Sequence, residues 1–170
     1  YVQAKYPEGG SDKRHFIFCR EERREDGKLM GRESLANSII ERSGFEHGAS
    51  VKDVLMEAAF DVRVFGAVYS VKGEAFNQTG PAQFGWAHSL HPVETKYVQG
   101  TVVMPSEDVK VTEAGEEGGK GQGTIWTSYM LPFAVFAMPG VINATIAEDI
   151  GLSEADVDLL LEALWFGTLH

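Results

Sequence analysis

His88, His91 and Glu94 recur every third residue, a spacing that invites a metal site. On a helix the three would share a face and offer two imidazoles and a carboxylate to a cation. Pro92, with Ser89, Leu90 and Val93 around it, favours an extended segment instead, which sends His88 and His91 to opposite faces. His91 could also act as a general acid or base on a phosphodiester. That chemistry needs a second titrating group, and only Glu94 stands near. The chain has no GxxxxGK, GxSxG or HExxH motif, and the glycines of residues 115–123 are not followed by Lys-Ser/Thr. These residues point to binding rather than turnover, with Ser89 and His91 as a hydrogen-bonding pair and no metal or cofactor.

The elements that must position them begin just upstream. From Asp61 the sequence DVRVFGAVYS reads as a strand, with Val62, Val64 and Val68 on one side and Arg63, Phe65 and Tyr69 on the other. The first face closes a core. The second could hold a phosphate on Arg63 while bases stack on Phe65 or Tyr69, or it could be buried under another layer. Thr79-Gly80-Pro81 predicts a turn, because Gly80 leaves its backbone angles open and Pro81 fixes its own. A polar run from Gln83 to Glu94 follows.

Residues 1–13 read as a loop, and Arg14–Arg20 as a strand in which His15, Ile17 and Cys19 alternate with Phe16 and Phe18. Cys19 is expected there as a small core residue. Residues 20–32 form a dense charged run, a hairpin or exposed excursion around Asp26-Gly27. It is either a solvated loop of mutually paired charges or a finger that touches phosphates through Arg20, Arg23 and Arg24. Glu33–Arg42 is helical, and Ser50 caps a second helix with Asp53 three residues on. Residues 94–123, with five glycines in the last dozen, form one long hairpin or flap that begins beside Lys96. Thr127–Met138 is the most apolar stretch and predicts a strand covered on both faces, with an edge or bulge at Pro132. The last helix is capped by Ser153 with Asp156 at its third position, and Val157, Leu160, Leu161, Leu164 and Trp165 make its buried stripe.

Composition bounds the reading. A chain of 170 residues with 44% hydrophobic and 24% charged residues suggests one globular domain. Its single cysteine excludes an internal disulfide framework and a cysteine-based zinc site, and it fits a reducing cytoplasm. No apolar run approaches the ~20 residues of a membrane span. The net charge of −10 is uneven: residues 1–42 hold nine Lys/Arg against eight Asp/Glu, residues 43–170 six against seventeen. Such a balance opposes simple nucleic-acid binding unless cations gather locally, and it suits a protein of a high-salt cell.

Four phrases carry a further signal. DVRVFG, TGPAQF and SLHPVE, in this order, and VINATIAEDIGLSEADVDLLLEALW at residues 141–165 resemble the backbone subunit of type I CRISPR Cascade effector complexes, the Cas-seven family. Subtype I-B is nearest, and the resemblance covers most of the chain from Asp61 onward. It implies an α+β fold, an RRM-like (ferredoxin-like) antiparallel sheet backed by helices, with residues 1–170 forming one partial domain. The family's first strand and glycine-containing loop would precede Tyr1, and its last strand would follow His170. Residues 94–123 would be the thumb that folds over guide RNA, with Val102, Val103 and Met104 as its apolar tip, unless those three form an ordinary strand.

The resemblance also implies a role without catalysis. The partners would be CRISPR RNA, target DNA through the guide, other copies of the chain and other Cascade subunits, in the cytoplasm and away from membranes. The expected RNA-binding residues are Arg20, Arg23, Arg24, Arg63, Phe65, Gln83, Ser89, His91, Lys96 and Met104. Low sequence specificity and strong salt dependence would follow. The alternatives are an RNA-cleaving enzyme built on His91 and a stand-alone single-strand RNA-binding module.

Overall fold

The computed structural model describes residues 1–45, 50–71, 73–101 and 125–167. The chain divides into two compact units, one of Tyr1–Gly85 with Gly140–His170 and the other of Trp86–Pro139. The fold is α+β, as the sequence implies, and every strand pairing among the described residues is an antiparallel two-stranded ladder.

The first unit opens with α1 (Val2–Lys5) and a 3-10 turn (Pro7–Gly9), followed by an extended segment, and then α2 (Arg32–Ser43), α3 (Val51–Ala58) and α4 (Phe60–Phe65). Strand β1 (Gly66–Val71) pairs with β2 (Glu74–Thr79), and β3 (Ala82–Phe84) pairs with β8 (Gly140–Ile142). Helices α5 (Ala144–Ile150) and α6 (Glu154–Phe166) complete the unit. Ser50 caps α3 as predicted, accepting the Asp53 amide at 3.2 Å. The extended segment keeps the predicted alternation, with Phe16 and Phe18 buried. It forms only one bridge, from Phe16 to Ala59, and Cys19 is exposed rather than part of the core.

The expected strand at Asp61 is instead the helix α4, and β1 starts only at Gly66. The reason is a core on each side. Val62 packs into one apolar cluster with Phe16, Leu35, Ile39 and Leu55, while Phe60 and Val64, four residues apart, pack into another with Val2, Leu159 and Leu160. A period of four serves two cores at once, and tertiary burial overrides the β-preference of valine and phenylalanine. The Asp61 carboxylate anchors the helix by accepting the amides of Phe18 at 2.9 Å and Cys19 at 2.7 Å. Gly66 then leaves the helix at φ 78°, ψ −179°, a region open essentially to glycine alone.

Gly80 has a different role from the one its turn signal suggests. Its backbone crosses that of Gly66 so closely that an added Cβ would lie 2.1 Å from the Phe65 carbonyl carbon and 2.3 Å from the Gly66 nitrogen. Close approach, rather than a left-handed angle, demands glycine there.

Helix α6 carries the predicted capping box between Ser153 and Asp156. Its buried stripe is rotated from the expected one. Asp156, Leu159 and Leu160 are buried, whereas Leu161 is 57% and Trp165 73% exposed. Asp156 draws the helix round because its carboxylate is taken up inside the unit by Arg63.

The second unit holds β4 (His88–Ser89) paired with β7 (Phe136–Ala137), and β5 (Lys96–Thr101) paired with β6 (Ile125–Met130). Among the described residues, cover on both faces of Thr127–Met138 is not seen: every residue of β6 is exposed. The strand ends at Met130, ahead of Pro132, which cannot donate to a ladder. The expected tip Val102, Val103 and Met104, and most of the 94–123 flap, lie outside the described residues.

Candidate nucleic-acid interface

Arg63 was expected on an RNA-facing strand, and the structure places it in the interior of the first unit, 1% exposed. Being on a helix that is packed on both sides turns it inward. Its guanidinium meets Asp156 in two bonds, Nη2 to Oδ1 at 2.6 Å and Nε to Oδ2 at 3.2 Å. The remaining donors reach the carbonyls of Glu57 at 2.8 Å, Met56 at 3.2 Å and Arg14 at 3.0 Å. One side chain thus ties together the end of α3, the start of the extended segment and the first turn of α6. Desolvation pushes the Asp156 carboxyl up, but the Arg63 hydrogen bonds and those from Ser153 outweigh it and hold it below the ordinary carboxylate range. Arg63 is therefore a positioning residue, with no donor left for a phosphate.

The 20–32 excursion is a tight hairpin in which Arg23 bridges Leu29 around Asp26-Gly27. Its cations are turned onto the protein itself. Arg20 pairs with Glu22, Arg23 donates to the Gly27 carbonyl at 3.0 Å, Arg24 to the Ser34 hydroxyl, and Lys28 pairs with Asp26 at 3.4 Å. Two of these cations thus meet carboxylates, and two others meet neutral acceptors.

The aromatic side chains behave differently from one another. Tyr69 is buried, stacked on Phe76 at 5.5 Å, and does not face solvent. Phe65, the last residue of α4, is 47% exposed. Its ring lies 6.3 Å from that of Phe84, which is 40% exposed at the end of β3. Phe84 rests against Gly140 across the β3–β8 ladder, where an added Cβ would lie 2.9 Å from the ring. Gln83, between them in sequence, is exposed and donates to the Gly80 carbonyl at 3.4 Å. Phe84 was missed in the sequence because its partner Phe65 is nineteen positions away and the register that places Gly140 beneath it is a tertiary fact.

In the second unit, His88 and Ser89 sit in β4 and His91 in the loop beyond it. The expected Ser89–His91 hydrogen bond is not made. His91 Nε2 accepts the Val135 amide at 3.2 Å, Nδ1 lies 2.8 Å from the Pro92 carbonyl, and the ring stacks on Phe133 at 5.4 Å. An acceptor at Nε2 and a carbonyl at Nδ1 define a neutral ring protonated at Nδ1. Both nitrogens are occupied, so His91 holds the loop against residues 133–135, where the Leu90 amide also donates to the Val135 carbonyl at 2.8 Å. Lys96 is exposed at the start of β5. Two residues not singled out in the sequence, Tyr97 and Tyr129, face each other directly across β5–β6 at 5.4 Å, 56% and 74% exposed.

Three further observations bound the chemistry and setting. Among the described residues no three His, Cys, Asp or Glu side chains come together as a metal-binding group. An open cleft of about 560 Å³ in the first unit is lined by Arg14 and Lys52 but also by Asp53, Glu57 and Asp149, so it does not select for anions. Among the described residues no helix is long and apolar enough to cross a membrane.

These features define a class: an α+β protein whose exposed rings and polar groups suit the binding of an extended ligand. The family model for CRISPR-associated protein Cas7 matches residues 1–170, and the chain belongs to that family. No curated protein matches it. Membership makes the chain a CRISPR RNA-binding backbone subunit of a multi-subunit effector complex of type I or type III, a component of antiviral defence.

Proposed function

We propose that this chain is a non-catalytic subunit of a type I Cascade surveillance complex, of subtype I-B, and that several copies coat one CRISPR RNA. The protein holds the RNA, base pairing with target DNA reads sequence, and the thumb of residues 94–123 interrupts pairing at intervals. The observation that carries this reading is the family match over the full 170 residues. The order of DVRVFG, TGPAQF and SLHPVE supports the type I assignment.

In this reading the chain is built on an RRM-like sheet and acts in the cytoplasm with other Cascade subunits. Phe65, Gln83, Ser89, Lys96 and Met104 are its proposed RNA contacts, together with Arg20, Arg23 and Arg24 of the 20–32 finger. His91 shapes the loop beside the RNA path rather than attacking it, since both its nitrogens are engaged.

The test is nuclease protection of labelled CRISPR RNA by the full chain. A regular ladder of protected lengths is the expected result. One bound copy per RNA, whatever the RNA length, would favour a lone binding module. Cleavage lost in His91→Ala would favour an enzyme.

A further inference from the structure

We propose that copies of this chain join head to tail, with the exposed stripe of α6 on one copy seated in a groove between the extended segment, α2 and β1 of the next. This rests on the multi-copy reading above and names the surfaces through which neighbouring copies meet.

Helix α6 carries four acids, Glu154, Asp156, Asp158 and Glu162, and no cation. Asp156 is taken up by Arg63 and Glu162 by Lys5. That leaves Glu154 and Asp158 exposed and in no ion pair among the described residues. Leu161 and Trp165 follow them, both exposed. The positions 154, 158, 161 and 165 share one face of the helix over roughly 16 Å of its length. Like charges four residues apart repel each other, and a facing cation would relieve them. The apolar pair beyond gains by leaving water on the same contact.

The groove is the complement of that stripe. It has a volume of about 400 Å³, with Phe18, Met30, Leu35 and Val68 in its apolar lining and Arg20 and Arg32 as its charges. Among the described residues no acid lines it. Arg20 is held by Glu22, whereas Arg32 is exposed and enters no ion pair among the described residues. Asp61 has its carboxylate engaged by the amides of Phe18 and Cys19. Arg23 and Arg24, on the adjoining finger, donate to neutral acceptors and add to the positive field. Val68, on β1, is 64% exposed. Seated in the groove, the stripe sets Asp158 beside Arg32 and Leu161 against the apolar lining.

A chain does not fill its own groove. Phe18 and Leu35 belong to the apolar cluster on one side of α4, and Leu159 and Leu160 of α6 to the cluster on the other. A contact between two different surfaces, repeated from copy to copy, builds an open filament unless its rotation closes a ring. Several copies along one extended RNA need an arrangement of this kind.

Sedimentation velocity of the full chain without RNA reads the contact directly. Wild-type protein is expected to form a concentration-dependent series of species that continues past the dimer. Leu161→Lys in the stripe and Val68→Lys in the groove alter exposed side chains, so each should keep the wild-type melt. Each should weaken self-association roughly 10- to 150-fold, the effect of one buried apolar side chain. An equal mixture of the two variants retains one intact stripe and one intact groove, and should stop at a 1:1 dimer. Asp158→Arg and Arg32→Asp should each weaken association about 5-fold or less, and the two together in one chain should regain it.

A wild-type chain that stays monomeric even at about 1 mM would overturn the proposal. Val68→Lys protein that assembles like wild type would also overturn it, by pointing to a symmetric contact through α6 alone. Weaker RNA binding by the Val68 or Arg32 variant, with self-association unchanged, would reassign the groove to RNA. A regular ladder of protected RNA from a chain that does not self-associate would leave the RNA-coating reading standing without this contact. Self-association without any RNA protection would remove the RNA reading and keep the contact, which separates the two failures.

Discussion

Replacing Arg63 by alanine leaves the Asp156 carboxylate inside the first unit with only Ser153 to answer it. Removing one partner of a buried pair costs about 3–5 kcal/mol, because the other charge stays desolvated. Three backbone carbonyls, those of Met56, Glu57 and Arg14, lose a donor in the same step. For a chain of this size each kcal/mol shifts Tm by roughly 2–4 °C, so Arg63→Ala should melt about 6–20 °C lower. The double variant Arg63→Met with Asp156→Leu leaves no charge buried and should recover the part of that loss due to the stranded carboxylate, while the three carbonyls stay without their donor and α6 loses its capping box. Calorimetry of the single and double variants measures both effects. If Arg63 instead met a phosphate, the double variant would melt normally yet bind RNA more weakly, with a salt slope shallower by about 0.7. That outcome, or an Arg63→Ala melt within about 2 °C of wild type, would refute the reasoning.

Four shorter predictions follow from the same geometry. Because the Asp156 carboxyl is held low in the folded chain, its pair contributes stability that is present above the unfolded carboxylate pKa near ~4. That contribution fades as pH falls through the lower folded value, so acid unfolding should be less steep in the Arg63→Met/Asp156→Leu variant. Gly80→Ala puts a methyl group into the Phe65–Gly66 backbone and should destabilise by about 3 kcal/mol or more, measured by urea denaturation. Gly140→Ala meets the Phe84 ring at 2.9 Å, a side chain that can turn away, so the urea midpoint should move little while the near-ultraviolet signal of the ring changes. Nitrogen NMR of His91 should show the Nδ1–H tautomer, and His91→Ala should speed amide exchange at Val135 and Leu90, with a net cost of about 1 kcal/mol. Unchanged exchange at both amides would show that the ring does not hold the loop.

What the sequence determined by itself is local or compositional. The Ser50 and Ser153 caps, the buried alternation of Phe16 and Phe18 and the hairpin at Asp26-Gly27 all depend on neighbours within a few residues, whereas the α+β class followed from the family resemblance. The family was legible in four short phrases, since those residues are read in order without knowing where they point. Tertiary structure alone decided the rest. DVRVFG has the residue types of a strand, and only a core on each side makes Phe60–Phe65 a helix. That change of period turned Arg63 from a surface cation into the interior partner of Asp156, 93 residues away. The same partnership rotated α6 and brought Leu161 and Trp165 to the surface. Tyr69, expected on an open face, is buried, whereas Phe65 is exposed. Side-chain direction in a strand or helix follows from its period, but which period wins is settled by what packs against it, and the chain order does not contain that.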